Sequence, residues 1–127
     1  MLTDYVKSWF SRADEDLALI AVLLKEKAFF PNPICFHAEQ AAEKYLKGFL
    51  AHHELHVRKV HDLETLVEDC KKVDQSFEEV LDDVIFLNQF YIESRYPDDY
   101  IVFSSEDSKE ACVRAEKIKE FVLGKVK

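Results

Sequence analysis

Glycine and proline are nearly absent from this chain of 127 residues, which contains two glycines and three prolines. Neither residue clusters, so the sequence has no sign of a flexible linker, a low-complexity stretch or a repeat. It also lacks an apolar run long enough to span a membrane, and its first residues lack the pattern of a signal peptide. We therefore expect a single soluble, cytoplasmic domain over residues 1–127 that does not contact a membrane.

Cysteine and positive charge are limited as well. The three cysteines at positions 35, 70 and 112 are scattered and odd in number, which argues against a disulfide framework. The net charge is −8, and the basic residues alternate with acidic ones. Nucleic acids attract proteins through clustered lysine and arginine, so this charge pattern argues against generic nucleic-acid binding. Any phosphate site must depend on a few locally placed cations.

Most of the sequence shows the periodicity of amphipathic helices. Leucine, alanine, glutamate and lysine are frequent, and apolar residues recur every three or four positions in five segments. The spacing predicts helices over residues 4–27, 34–54 and 77–95, a shorter helix that Asp62 caps and a last helix capped by Ser104 or Ser105. Thr3 can cap the first helix. Short connections favour antiparallel neighbours, so we predict an all-α fold, an up-and-down bundle of four to five helices.

The fourth predicted helix directs two polar side chains towards the core. Its apolar stripe includes Phe77, Val84 and Tyr91, and both Asn88 and Arg95 fall within that stripe. A guanidinium keeps its charge and is costly to bury without a partner. We therefore expect Arg95 to meet an anion, a carboxylate or a partner protein.

The segment that follows is a polar corner with two open interpretations. Pro97 disfavours helix at the preceding residue, so the helix is expected to end near Arg95. Arg95 can hold a phosphate through two hydrogen bonds, and Tyr96 or Tyr100 can stack on a base. Alternatively, the corner is self-contained, and Arg95 pairs with Asp98 or its neighbour while capping the last helical carbonyls.

A polar face on the second predicted helix is another candidate anion site. His37, Gln40 and Lys44 cluster on one side of it. A histidine beside a lysine can contribute to a phosphate or nucleotide site. The alternative is a solvated face with side-chain pairing four residues apart, from Glu39 to Glu43 and from Glu43 to Lys47.

Two helices carry more apolar or small side chains than one core face needs. Ala41, Gly48 and Ala51 form a narrow strip of small residues on the second helix, and Phe86 and Phe90 lie opposite the main stripe of the fourth. Central packing within a five-helix bundle explains both features. A dimer or partner interface explains them equally well.

Histidines near the end of the second helix raise the question of a metal. His52 and His56 are one turn apart, a spacing that suits zinc, and His53 and His61 are close in sequence. No cysteine lies near them, and the sequence specifies no third ligand. Histidine also suits a helix C-terminus electrostatically. We predict no metal site and no cofactor.

Several sequence blocks together resemble the HEPN domains, the higher eukaryotes and prokaryotes nucleotide-binding domains. The blocks begin with Trp9 and Ala13-Asp14-Glu15-Asp16-Leu17, and continue with Cys35-Phe36-His37-Ala38-Glu39-Gln40-Ala41-Ala42-Glu43-Lys44-Tyr45-Leu46-Lys47, His61-Asp62-Leu63 and Ser94-Arg95-Tyr96-Pro97-Asp98. This resemblance implies a helical bundle that usually forms a homodimer. It also implies a frequent partner, a minimal nucleotidyltransferase, in a pair that resembles a toxin–antitoxin or nucleotide-modifying module.

The resemblance also suggests a chemistry that this chain matches only in part. Many HEPN domains are metal-independent ribonucleases whose motif is an arginine, four to six residues, and then a histidine. Arg95 fits the arginine, but no histidine occurs after His61. Cleavage through the 2′-hydroxyl needs a base and an acid that titrate near neutrality, and tyrosine is a poor replacement. His37 or His61 can serve only if the fold brings one of them close to Arg95.

Three hypotheses follow for function. In the first, a dimeric module binds a nucleotide, RNA or a nucleotidyltransferase partner, with a ligand set of Arg95, Tyr96, Asp98, Asn88, His37 and Lys44. In the second, the protein is a ribonuclease toxin in which Arg95 stabilises the phosphorane, and Tyr100 or a borrowed histidine moves protons. In the third, it is a purely structural dimeric interaction protein. Because the motif histidine is missing, the sequence favours the non-enzymatic first hypothesis.

Overall fold

The computed structural model describes residues 2–26, 29–91 and 101–126. These residues form five α-helices and one short 3-10 helix, and none of them forms a strand: α1 Asp4–Lys25, α2 Pro31–His52, α3 Leu63–Lys71, the 3-10 helix Gln75–Val80, α4 Leu81–Asn88 and α5 Ser105–Lys125. The all-α helical bundle is confirmed. Within the described ranges, no helix has both the length and the apolar character that a membrane span requires.

Three helices begin at the N-cap residues that the sequence predicts. The Thr3 hydroxyl accepts a hydrogen bond from the backbone N–H of Val6 at 3.2 Å, and Asp62 caps α3 in the same way through the N–H of Glu64. Ser104 and Asp107 form a reciprocal capping box at the start of α5. The second helix begins at Pro31, three residues before its predicted start, because proline fits the first turn of a helix.

Helix α2 is the centre of the bundle. It packs against α1, α3, α4 and α5, and its small residues and most of its large apolar residues are buried. Gly48 faces the ring of Phe10 on α1, and Ala41 is fully buried. The strip of small residues therefore allows α1 to pack closely on α2. Of the two interpretations of this strip, central packing within the bundle accounts for it without a dimer.

The fourth helix differs from its predicted course over residues 77–95. A 3-10 helix, capped by the Asp74 side chain, occupies Gln75–Val80, and α4 then ends at Asn88. Just beyond this end, Phe90 is fully buried in edge-to-face contact with Phe103, with ring centroids 4.7 Å apart. Residues 92–95 of the predicted helix lie outside the described ranges.

Replacing Gly48 with alanine tests the packing at this centre. An added Cβ would lie 2.8 Å from Cδ1 of Phe10, whose buried ring stacks on Tyr45. We expect Gly48→Ala to lower the free energy of unfolding by about 1–3 kcal/mol, measured by urea denaturation, because the ring must move inside a packed core. Gly124→Ala is the matched control, since a Cβ there meets nothing within 4 Å. Equal effects of the two variants would contradict this packing.

Candidate functional site

The candidate site is built around Glu43, a buried carboxylate on α2. Its side chain is 5% exposed, and its two oxygens have different partners. Oε1 lies 2.8 Å from Nδ1 of His61, and Oε2 accepts a hydrogen bond from Nζ of Lys47 at 3.1 Å. Lys47 is also buried and lies near the ring of Trp9, with Nζ 5.8 Å from the ring centroid. The arrangement is a buried carboxylate that holds one lysine and one histidine.

The contact with Glu43 orients the imidazole of His61. An ionised carboxylate only accepts hydrogen bonds, so Nδ1 of His61 must carry the proton in this pair. In the neutral ring Nε2 is then the acceptor. No hydrogen bond among the described residues uses Nε2, and the side chain is 42% exposed. In its neutral form with the proton on Nδ1, His61 would therefore present an acceptor nitrogen at the surface.

His61 lines a shallow groove with a volume of about 470 Å³, together with Val60, Asp62, Asn88 and Tyr91. The rings of His61 and Tyr91 stack, with centroids 4.3 Å apart and planes inclined by 17°. Stacked rings of this kind form a flat aromatic surface on which a further planar group can lie.

Two polar residues that line this groove, Asp62 and Asn88, cap the N-terminus of α3. Asn88 accepts a hydrogen bond from the backbone N–H of Leu63 at 2.9 Å and donates one to Asp62 at 2.8 Å. Partial burial acts to raise the pKa of Asp62, but hydrogen bonds from Asn88, Thr65 and the backbone outweigh it and lower that pKa. The ionised form of Asp62 is thus favoured, and its negative charge interacts favourably with the N-terminus of α3. The amide of Asn88, predicted to bind a ligand, already has two partners within the fold.

The loop between α2 and α3 that carries His61 is held at its other side by Arg58. Nε and Nη2 of Arg58 donate to the two oxygens of Asp69 on α3, at 2.9 and 2.8 Å. Two parallel charge-assisted hydrogen bonds fix both distance and orientation. The loop is therefore held to α3 by Arg58 and to α2 by His61.

His37 and Lys44, two other predicted ligand residues, are brought together by Asp16 of α1. Nδ1 of His37 lies 2.8 Å from one Asp16 oxygen, and Nζ of Lys44 lies 2.6 Å from the other. The Asp16 side chain is only 10% exposed. Neither cation is among the residues that line the groove of His61. The structure thus joins His37 to Lys44 but does not group them with Asn88.

Glu39 shows that the α2 face is not the solvated face considered as an alternative. Its side chain is fully buried; Oε1 accepts a hydrogen bond from Gln40 at 2.8 Å, and Oε2 has no hydrogen-bond partner among the described residues. Burial, opposed by the Gln40 hydrogen bond and assisted by the charge of Glu43, raises the pKa of Glu39 to about 8. Of the two side-chain pairings expected on that face, the one from Glu43 to Lys47 is confirmed, whereas Glu39 has Gln40 as its partner.

Arg95, Tyr96, Asp98 and Tyr100, the predicted residues of the polar corner, lie outside the described ranges. The residues on either side of the corner have defined contacts. Tyr91 precedes it and stacks on His61, whereas Ile101 follows it and accepts a hydrogen bond from the Asn32 side chain at 2.5 Å.

These features can now be compared with known proteins. A family model of the HEPN domain matches residues 6–126. The chain belongs to the HEPN domain family. The resemblance seen in the sequence blocks is therefore confirmed, and it extends over nearly the whole chain.

Individual relatives of this HEPN domain are distant in sequence but similar in fold. It is 27% identical to the protein named "Putative toxin MJ1304" from Methanocaldococcus jannaschii, over 93% of this chain and 86% of that one. The crystal structure of TT1696 from Thermus thermophilus matches with a TM-score of 0.83 and 26% identity, covering 97% of this chain and 99% of that one. ST0689, an archaeal HEPN homologue, matches with a TM-score of 0.77 and 26% identity, covering 96% and 98%.

The histidines considered for a metal are dispersed in this HEPN domain. His52 and His53 pack edge to face, and His56 lines a separate cavity of about 340 Å³ beside Arg58. Among residues 2–26, 29–91 and 101–126, no three histidine, cysteine, aspartate or glutamate side chains are grouped so that they could hold a metal ion.

Most contacts of the site could not be predicted from the sequence. Helical spacing places Glu43 and Lys47 in a surface pair and Tyr91 in the core. The contacts of Glu43 and Tyr91 with His61 join segments that are 18 or more residues apart, which helical periodicity does not report. The block His61-Asp62-Leu63, which carries part of the family resemblance, is the available signal.

Because the pKa of Glu39 is raised, the free energy of unfolding should depend on pH. The unfolded chain releases this proton near pH 4.5, whereas the folded domain retains it up to about pH 8. The wild-type free energy of unfolding should therefore fall as the pH rises between these values. Glu39→Gln cannot ionise at this position. We therefore expect its free energy of unfolding, measured by urea denaturation, to rise relative to that of the wild type by roughly 1 kcal/mol or more between about pH 5 and about pH 8.5.

Glu15→Gln is the matched control, because Glu15 is exposed on α1. Its stability relative to wild type should change little over the same pH range. A constant difference between Glu39→Gln and wild type would show that Glu39 is ionised in the folded domain.

Proposed function

We propose that this HEPN domain belongs to a toxin–antitoxin pair and binds the phosphate and base of RNA or of a nucleotide at the groove of His61 and Tyr91. The observation that carries this proposal is the stacked, partly exposed His61–Tyr91 pair in an open groove. Membership of the family and the relative named as a toxin support the biological setting.

The groove has the shape and the surface that one nucleotide needs. Its volume of about 470 Å³ lies within the range of small-molecule sites. The His61 and Tyr91 rings supply an aromatic surface for a base, and base stacking on such surfaces contributes about 1–3 kcal/mol. Protonated His61 would add a positive charge beside the phosphate.

Arg95 is the second cation in the proposed site. It is four residues beyond Tyr91 in the sequence and matches the arginine of the HEPN ribonuclease motif. A guanidinium can hold a phosphate through two hydrogen bonds, which gives orientation as well as affinity. In this proposal Tyr96 and Asp98, from the same block, contact the nucleotide as well.

His37 and Lys44 have a smaller role in this proposal than the sequence suggested. Both side chains are less than one-third exposed, and both already contact the carboxylate of Asp16. A phosphate there would have to compete with a nearly buried carboxylate. We therefore assign the primary contacts to the groove of His61 rather than to the α2 face.

The proposed setting includes a homodimer and a minimal nucleotidyltransferase partner. Large apolar side chains remain exposed on both α4 and α5, with Ile85 48% exposed and Val113 69% exposed. Exposed apolar side chains of this kind are compatible with association. Light scattering of the purified protein, alone and with the nucleotidyltransferase, tests both associations.

Binding of a short single-stranded RNA, measured by fluorescence anisotropy, tests the ligand. We expect Arg95→Ala to weaken binding about tenfold or more, because a charge-assisted hydrogen bond contributes about 1.5–3 kcal/mol. Arg12→Ala is the matched control, since Arg12 is exposed on α1 and its replacement removes the same charge elsewhere. The control should bind within about twofold of wild type, apart from the general effect of charge on salt dependence.

Equal weakening by both variants would indicate nonspecific electrostatic attraction and contradict a site at Arg95. An absence of binding to RNA, ATP and GTP would favour the purely structural interaction protein. The closed Asp16–His37–Lys44 cluster is the observation consistent with that second candidate.

A further inference from the structure

We infer that the cavity beside Arg58 is a second ligand site, which binds a small carboxylate with an apolar body. The cavity has a volume of about 340 Å³, and its described lining comes from the end of α2, the α2–α3 loop and the end of α3: Leu50, Leu55, His56, Arg58, Asp69 and Lys72. Among the described residues, none lines both this cavity and the groove of His61. The inference therefore does not rest on the proposed binding of RNA.

The apolar wall of the cavity results from the way in which α2 ends. Glu54 has a φ of 57°, in the left-handed region, and the turn brings the backbone nitrogen of Leu55 to 3.0 Å from the carbonyl oxygen of Leu50. The N–H of Glu54 donates to the carbonyl oxygen of Ala51 at the same distance, which completes a Schellman motif. Leu55 is 39% exposed, whereas Leu50 is fully buried. A ligand that covers Leu55 with an apolar body would remove its exposed surface from water.

The same motif reduces the repulsion that the end of α2 would exert on an anion. The last carbonyl groups of a helix carry a partial negative charge and have no partner within the helix. Here the carbonyl groups of Leu50 and Ala51 accept hydrogen bonds from the turn that follows. Two acceptors beside the cavity are therefore already paired.

The polar part of the lining carries an excess of positive charge. Arg58 and Lys72 are cations, and Asp69 is the acid among the described lining residues. Partial burial acts to raise the pKa of Asp69, but the hydrogen bonds and charges of Arg58 and Lys72 outweigh it and lower that pKa. Two positive charges and one negative charge leave a net charge of +1, which a single carboxylate would neutralise.

Both cations keep hydrogen-bond donors that Asp69 does not use. Arg58 donates to Asp69 from Nε and Nη2, at 2.9 and 2.8 Å. The terminal edge of the guanidinium, with one N–H from each Nη atom, has no hydrogen-bond partner among the described residues. Nζ of Lys72 lies 3.5 Å from Oδ1 of Asp69, at the limit of a hydrogen bond, and its side chain is 76% exposed. A carboxylate could therefore accept from Arg58 through both oxygens and from Lys72 as well.

The balance of these groups favours a monocarboxylate over a phosphate. A phosphate dianion would leave a negative charge uncompensated in the cavity unless His56 were protonated, and the net charge of −8 on the chain repels anions in general. The volume of the cavity is near the lower end of the range for small-molecule sites, so the ligand is small. Its carboxylate would lie on Arg58 and Lys72, and its apolar body on Leu55.

Titration of the ¹⁵N-labelled full chain with sodium hexanoate, followed by NMR at constant ionic strength, tests this site. Hexanoate combines a carboxylate with a short aliphatic chain. We expect saturable shifts of the backbone amides around residues 55–58 and 69–72, with a dissociation constant in about the millimolar range. Hexanamide has nearly the same shape without the charge, and we expect it to bind about fivefold more weakly or worse. Inorganic phosphate should also bind more weakly than hexanoate.

Replacement of Lys72 tests the cationic part of the cavity. Lys72→Ala should weaken hexanoate binding about fivefold or more, because it removes a charged donor. Lys59→Ala is the matched control, since Lys59 is exposed on the α2–α3 loop but is not among the residues that line the cavity. This control should bind hexanoate within about twofold of wild type. Both lysines are exposed, so neither replacement should prevent folding, and the spectrum of each variant reports its folding directly.

Four results would overturn the inference. The first is the absence of a saturable shift with hexanoate, and the second is equal affinity for hexanoate and hexanamide. The third is equal weakening by the two lysine variants, which would indicate attraction by overall charge. The fourth is phosphate binding as tight as that of hexanoate, because the cavity would then select a different class of anion. None of these results bears on RNA binding at the groove of His61, which the Arg95→Ala measurement tests separately.

Discussion

The site depends on the contacts of Glu43 with Lys47 and His61. A buried carboxylate is costly to desolvate, and removing one partner of a buried ion pair typically destabilises a protein by about 3–5 kcal/mol. Lys47 comes from the same helix, but His61 comes from the following loop, so the need to satisfy Glu43 also sets the position of that loop. The position of the imidazole is therefore a consequence of how α2 accommodates a charge in the core.

The same combination of groups occurs twice along α2 with different consequences. Asp16, His37 and Lys44 join α1 to α2, while Glu43, Lys47 and His61 join the α2–α3 loop to α2. In each cluster a nearly buried carboxylate contacts Nδ1 of a histidine and the ammonium of a lysine. The first histidine is one-quarter exposed and packs on Phe36, whereas the second opens onto a groove. Exposure of the histidine, rather than the identity of the groups, distinguishes the two clusters.

Much of the fold could be predicted from sequence because it is local. Helix periodicity and side chains such as Thr3 and Asp62 specify where helices begin, and the structure confirms them. The predicted continuous helix over residues 77–95 is wrong in its described part, where a 3-10 helix occupies Gln75–Val80 and α4 ends at Asn88. The site was less predictable because Glu43 meets His61 and Asn88 meets Leu63 across many residues of sequence. Arg95, the residue that the sequence made most conspicuous, lies outside the described ranges.

A chain with a net charge of −8 can bind a phosphate only if its acidic groups do not face the site together. Several of the buried acids are compensated within the fold, since Asp69 is paired with Arg58 and Asp83 with Lys117. Glu39 is neutral at pH 7 because its pKa is raised to about 8. Among residues 2–26, 29–91 and 101–126, most of the other acidic side chains are exposed, where salt screens their charge over about 10 Å. If the proposed function is right, such a domain would repel polyanions at a distance and bind RNA only where direct contacts form, at the groove instead of over the whole surface.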